Sequence, residues 1–162
     1  MKLIESFQID HDVLTPGLYI SRIDFGDTVT YDLRFKRPNA GDYLSQEAMH
    51  TIEQLLATYI RSSELAEHAV YIGPMGCQTG FYILFRDADK ETAVRVIRQA
   101  MAYIKDYTGE IPGTQPSQCG NYRCHDLAAA RKEADAYFRV IEHWTSAQLA
   151  YPTRGEKGKD LC

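Results

Sequence analysis

Polar and apolar residues change their spacing several times along the chain, and each change predicts an element. Residues 17–24 and 28–36 read as two strands joined by "DFGDT", with Gly26 supplying the turn. In the second, Tyr31, Leu33 and Phe35 alternate with Asp32, Arg34 and Lys36, so one face is apolar and the other charged. "RPNAGDYL" breaks the pattern with Pro38 and Gly41. Over residues 45–62 the period lengthens to three and four: Met49, Ile52, Leu55, Leu56, Tyr59 and Ile60 form the apolar stripe of a helix. Short strands follow at 69–73 and 81–85, separated by "PMG" and Cys77. A second helix is expected over 89–108, with Val94, Ile97, Met101 and Ile104 inward and Gly109 as its stop. A loop with Pro112, Gly113 and Pro116 leads to "QCG", and Asp126 is placed to cap a final helix over roughly 127–149.

Strands and helices mix without a βαβ rhythm, and the first two strands form a hairpin. The expected class is therefore α+β: a largely antiparallel sheet packed by helices, as one domain over residues 1–150. The tail from residue 151 to residue 162 has no periodicity and is expected to be loosely ordered. A length of 162 residues suits one such domain.

Composition narrows the function classes. A net charge of -4 argues against a partner held by phosphate contacts, so no nucleic acid is expected. No apolar run approaches the roughly 20 residues that span a bilayer. The N-terminus carries Glu5, Gln8 and Asp10 among its apolar residues, unlike a signal peptide, so the expected location is cytoplasmic. There a disulfide framework is not expected of Cys77, Cys119, Cys124 and Cys162. Two of these, Cys77 and Cys119, sit in glycine-containing loops, which suits reactive or ligand roles better than core filling.

The candidate chemistry lies on the first helix. His50, Glu53, Gln54 and Ala57 share the face opposite the apolar stripe. This face reads either as solvated polar surface or as a site in which His50 ligates a metal and Glu53 moves protons beside it. Histidine at both ends would give the H-x-x-E-H pattern of one class of metal enzymes, but Gln54 stands at the last position. Cys77, in "GPMGCQTG", reads as an acid or base near a cation or as a small apolar filler. Cys119 reads as a thiolate ligand or as a structural residue.

Five stretches occur in order from about residue 5 to residue 135: "ESFQIDH", "DLRF…PN", "HTIEQLLATYIRS", "GPMGCQTGFY" and "QCG…HDL". Together they resemble the S-ribosylhomocysteine lyases, the LuxS family that makes the autoinducer-2 precursor used in quorum sensing. The resemblance implies a homodimer with active sites at the interface. It also implies one Fe2+ per subunit, with Zn2+ or Co2+ as substitutes. On the family pattern His50 and Cys119 match metal ligands, Glu53 and Cys77 the catalytic acid/base pair, and Ser6, His11 and Arg34 the substrate contacts. The implied reaction walks a carbonyl along the ribose of S-ribosylhomocysteine, then eliminates homocysteine and leaves dihydroxypentanedione.

Position 54 departs from that pattern. An amide oxygen is a weaker and harder donor than imidazole, and loss of even an outer partner costs roughly 10–100-fold in metal affinity or activity. Gln54 ligates through oxygen, or a water replaces it, or the site holds no metal and the chain is a silent homologue that binds a ribosyl thioether without turnover. Rescue by Cys124 or His125 is a further possibility. His125 belongs to the "HDL" stretch and is expected to be structural, while Cys124 has no counterpart in the pattern.

Overall fold

The computed structural model describes residue 4 and residues 8–154. Four strands, β1 (Gly17–Asp24), β2 (Thr28–Arg34), β3 (Ala69–Pro74) and β4 (Gly80–Arg86), form one sheet in the order β1-β2-β4-β3. Every neighbouring pair is antiparallel. Three helices, α1 (Gln46–Ile60), α2 (Lys90–Lys105) and α3 (Leu127–Ile141), supply the rest of the core, so the α+β expectation holds. No helix among the described residues is long and apolar enough to cross a membrane.

Local chemistry explains the hairpin. Phe25 and Gly26 both take left-handed φ, 55° and 82°, within the three-residue connection 25–27 that joins Asp24 to its partner Thr28. From there the register runs Ile23 to Val29 and Leu18 to Leu33, with one bulge between Ile20 and Arg22. The apolar side of the sheet carries Leu18, Tyr31, Leu33, Phe81, Ile83 and Phe85. It packs in one cluster with Ile52, Leu55 and Leu56 of α1, Ile97 and Met101 of α2, and Tyr137 of α3. Each helix starts on a capping side chain: Ser45, Asp89 and Asp126 accept from the backbone N–H of Ala48, Thr92 and Ala129.

Three expected boundaries move, two for a tertiary reason and one for a local turn. β2 leaves the ladder after Arg34 because Phe35 and Lys36 both donate to the Thr79 carbonyl. α2 ends at Lys105 rather than near Gly109; Tyr107 folds back there, its hydroxyl donating to the Glu110 carbonyl. α3 stops at Ile141 rather than 149. Trp144 turns to pack edge-on against Tyr19, and Thr145 with Gln148 caps a short 3-10 turn at Ser146–Gln148.

Two approaches position the functional residues. A Cβ on Gly80 would lie 2.0 Å from the Leu33 carbonyl oxygen, so only glycine lets β4 begin this close to β2. That closeness sets the turn 75–79, which holds Cys77, beside Arg34. Residues 151–154, where the loose tail was expected to start, fold back over the other face of the sheet. Tyr151 stacks on Tyr19 at 5.0 Å and donates to Asp32, and Arg154 pairs with Asp10 and Asp12.

Candidate functional site

The polar face of α1 is not solvated. His50, Glu53, Gln54 and Ala57 are all half-buried beneath loop segments. His50 Nδ1 is 2.8 Å from the Cys124 carbonyl oxygen, which can only accept, so the ring donates there and its Nε2 lone pair points away. That Nε2 lies 3.3 Å from Cys119 Sγ and 3.4 Å from the amide nitrogen of Gln54. A ring held through its outer N–H by a carbonyl is how metal-ligating histidines are normally oriented.

His125 stacks on His50 with ring centroids 4.1 Å apart and planes 23° from parallel. Thr51, fully buried, ties the two elements together. Its hydroxyl donates to the Glu47 carbonyl at 2.8 Å, as mid-helix threonines do, and accepts from the Asp126 N–H at 3.0 Å. His125 Nδ1 lies 3.3 Å from the same oxygen, whose only proton is committed to Glu47, so Nδ1 donates. Burial and the neighbouring His50 both push the His125 pKa down, which keeps the ring neutral.

His50, Cys119 and His125 bring one donor atom each to within 4.8 Å of one another. Tetrahedral Zn–N and Zn–S bonds set donors about 3.4–3.6 Å apart, so to share an ion the donors must close by little more than 1 Å and the two stacked imidazoles must tilt apart until both lone pairs meet it. Two imidazoles and a thiolate are a donor set that zinc, ferrous iron and cobalt all accept. The site therefore fits a divalent metal ion. Beside it opens a hollow of about 190 Å³ lined by Gln46, Met49, His50, Glu53, Pro74, Cys119 and Asn121. Burial raises the Glu53 pKa, against a smaller lowering by His50, which suits a carboxyl that must take up a proton and return it.

Gln54 is held differently. Gly113 takes φ +79° in the loop before Cys119, and a Cβ there would come within 3.1 Å of Gln54 Oε1. The amide as a whole lies against the Gly113 turn, all three of its heavy atoms within 3.3 Å of that Cβ position.

A second cluster surrounds Cys77, which is exposed at the turn between β3 and β4. Its Sγ is 3.0 Å from Thr79 Oγ1, and that hydroxyl is 2.6 Å from Arg34 Nη1. Arg34, expected on the exposed side of a strand, is only 2% exposed, and its Nε and Nη2 donate to the Asp32 carboxylate. Three of its five N–H groups are engaged within the chain. Pro74 links the clusters, since it ends β3 next to the Cys77 turn and lines the His50 hollow.

His11 lies apart from both. Its Nδ1 donates to the Ile9 carbonyl, and it lines a separate hollow of about 400 Å³ with Asp12, Arg37, Pro38, Asn39 and Ala40. Ser6 falls outside the described residues. The polar partners Thr51, Thr79 and Asp32 were missed by sequence reasoning. For Thr51 a signal existed, since a threonine beside His50, flanking an apolar stripe, has a hydroxyl that needs partners once buried.

Comparison with known proteins bears on what this arrangement does. The model of the family described as S-Ribosylhomocysteinase (LuxS) matches residues 4–148. The chain is 46% identical over 160 residues to an S-ribosylhomocysteine lyase of Phocaeicola vulgatus, covering 95% of this chain and 99% of that protein. It is 43% identical to one from Desulfotalea psychrophila (94% and 100% covered) and 42% identical to one from Porphyromonas gingivalis (94% and 99%).

Proposed function

The chain belongs to the S-ribosylhomocysteinase (LuxS) family, and from that membership we infer that it is an S-ribosylhomocysteine lyase, a metal-dependent carbon–sulfur lyase. The observation that carries the reading to this chain's own residues is the pairing of His50 Nε2 and Cys119 Sγ at 3.3 Å beside the hollow that holds Glu53.

The reaction moves a carbonyl along the ribose by successive proton shifts and ends in β-elimination of homocysteine, leaving dihydroxypentanedione. A metal ion held by His50 and Cys119 would supply Lewis-acid polarisation of the sugar carbonyl. Iron is the proposed native ion, one per subunit, with zinc or cobalt able to substitute. Glu53 is the base on the metal side, because its raised pKa lets it take a proton and give it back. Cys77 is the second acid/base, with Thr79 holding the sulfur at 3.0 Å. Ser6, His11 and Arg34 are the proposed substrate contacts, Arg34 acting from beneath the Cys77 turn, where Thr79 Oγ1 joins its Nη1 to the Cys77 sulfur.

In one chain His11 lines a hollow distinct from that of His50. A homodimer with shared active sites accounts for that separation. The second copy is placed on the sheet face away from the helices. There Tyr71 is 53% exposed and, with Arg22, Thr30, Tyr82 and Leu84, lines a hollow of about 270 Å³. The three described cysteines are unpaired, which agrees with a cytoplasmic enzyme. A silent homologue would have no need of a cysteine sulfur and an imidazole nitrogen 3.3 Å apart beside a buried carboxyl.

The test is release of free thiol from S-ribosylhomocysteine by protein purified with ferrous or cobaltous ion. Homocysteine should appear with multiple turnovers. If metal-loaded protein gives no thiol while Gln54→His does, the lyase reading of the natural chain is wrong.

A further inference from the structure

The structure contains a histidine that neither the motif nor the reaction uses. His125 Nε2 is buried and has no hydrogen-bond partner. A buried imidazole nitrogen without a partner is costly, since it forfeits its hydration and gains nothing. It is also not the nitrogen that carries the proton. Thr51 Oγ1 gives its own proton to the Glu47 carbonyl, so His125 Nδ1 must donate to Thr51 and Nε2 is left as a bare lone pair. His50 is arranged in the same way, with Nδ1 donating to the Cys124 carbonyl and Nε2 turned toward Cys119. Two stacked rings each commit their outer N–H to oxygen and each keep Nε2 free.

We propose that His125 takes the ligand place that the helix motif leaves open at Gln54, so that the metal ion is held by His50, Cys119 and His125. The three residues have donor atoms within 4.8 Å of one another. Gln54 competes poorly because it offers a hard amide oxygen where an imidazole is available. His125 does not line the hollow that holds Glu53, so the substrate side of the ion stays open, as a catalytic rather than a structural site requires.

This assignment rests on the metal-dependent lyase reading, and the test separates the two. The protein is loaded with cobaltous ion, and X-ray absorption at the cobalt edge counts imidazoles and sulfurs in the unaltered chain. Visible titration then gives affinities for His125→Asn and Gln54→Ala. Asparagine keeps an N–H for Thr51 and removes the lone pair, and circular dichroism checks that both variants fold. Two imidazoles and one sulfur are expected. His125→Asn should weaken cobalt binding at least 10–100-fold, roughly what loss of even an outer partner costs, while Gln54→Ala shifts it less than about threefold. One imidazole in the unaltered chain, or loss of binding in Gln54→Ala but not in His125→Asn, overturns the assignment and leaves the lyase reading standing if thiol is still released. A chain that binds no cobalt and releases no thiol overturns both.

Discussion

Arg34 lies side by side with Asp32 on the polar face of β2, with Nη2 to Oδ2 at 2.6 Å and Nε to Oδ1 at 3.1 Å, and both residues are sealed from solvent. The bidentate geometry fixes the guanidinium plane, and with it the Thr79 hydroxyl that touches Cys77. Removing one partner leaves a buried charge without its counter-charge, which typically costs about 3–5 kcal/mol. Asp32→Ala should therefore lower stability by about that amount in urea denaturation. Replacing both residues by apolar ones of similar volume should recover part of the loss.

Thr51→Val keeps the shape of the buried side chain and removes its oxygen. The Asp126 N–H and His125 Nδ1 then lose their acceptor, and each unsatisfied group costs about 1–3 kcal/mol. We expect about 2–4 kcal/mol of destabilisation by chemical denaturation, together with weaker cobalt binding, because His125 is no longer aimed. Unchanged metal affinity would show that Thr51 matters to the fold alone.

The two functional cysteines should separate cleanly. Cys119→Ala removes a proposed ligand and is expected to abolish both cobalt binding and turnover. Cys77→Ala removes a proton carrier and should lower thiol release by about 10²–10⁴-fold. It should leave the sulfur-to-cobalt charge-transfer band in place. Loss of that band in Cys77→Ala would reassign the ligand sulfur.

Gly113→Ala puts a side chain where φ is +79° and where a Cβ meets Gln54 at 3.1 Å. Left-handed backbone costs a non-glycine residue roughly 1–2 kcal/mol. A fall in the urea midpoint of that size is expected, and pairing Gly113→Ala with Gln54→Ala should relieve only the steric part.

Alkaline pH gives a test of the core. Burial raises the Tyr31 pKa from 10.0 to about 12, and its hydroxyl is buried without a partner. The folded value lies above the unfolded one, so the stability Tyr31 contributes is complete below pH 10.0. It is lost as pH rises through about 12. Stability measured by urea titration should fall across that window. Tyr31→Phe should cost little at neutral pH and soften the alkaline fall.

Much of this was legible in the chain. The alternation through Tyr31, Leu33 and Phe35 and the stripe through Ile52, Leu55 and Leu56 reflect local geometry, so they gave the hairpin strands and α1, and Asp126 was legible as the cap of α3. The boundary at residue 149 was misplaced because its deciding contact, Trp144 against Tyr19, forms only on folding, whereas α2 ends early on a local turn in which Tyr107 reaches the Glu110 carbonyl. At the site, the motifs singled out His50 and Cys119. Nothing in residue order reveals that β2's charged side would be buried. Nor does it show that His125, 71 residues beyond Gln54 in the numbering, would lie against His50. Such pairings come from how α3 begins under α1, which has no sequence signature of its own.

The acceptor that aims His50 is the main-chain oxygen of Cys124. Every amino acid carries that oxygen, so the side chain at 124 is free to drift without disturbing the imidazole. Insertions or deletions between Cys119 and Asp126 are not. The aim of His50 is written in the length of that connection, and a point-mutation scan through it would leave the most sensitive variable untouched.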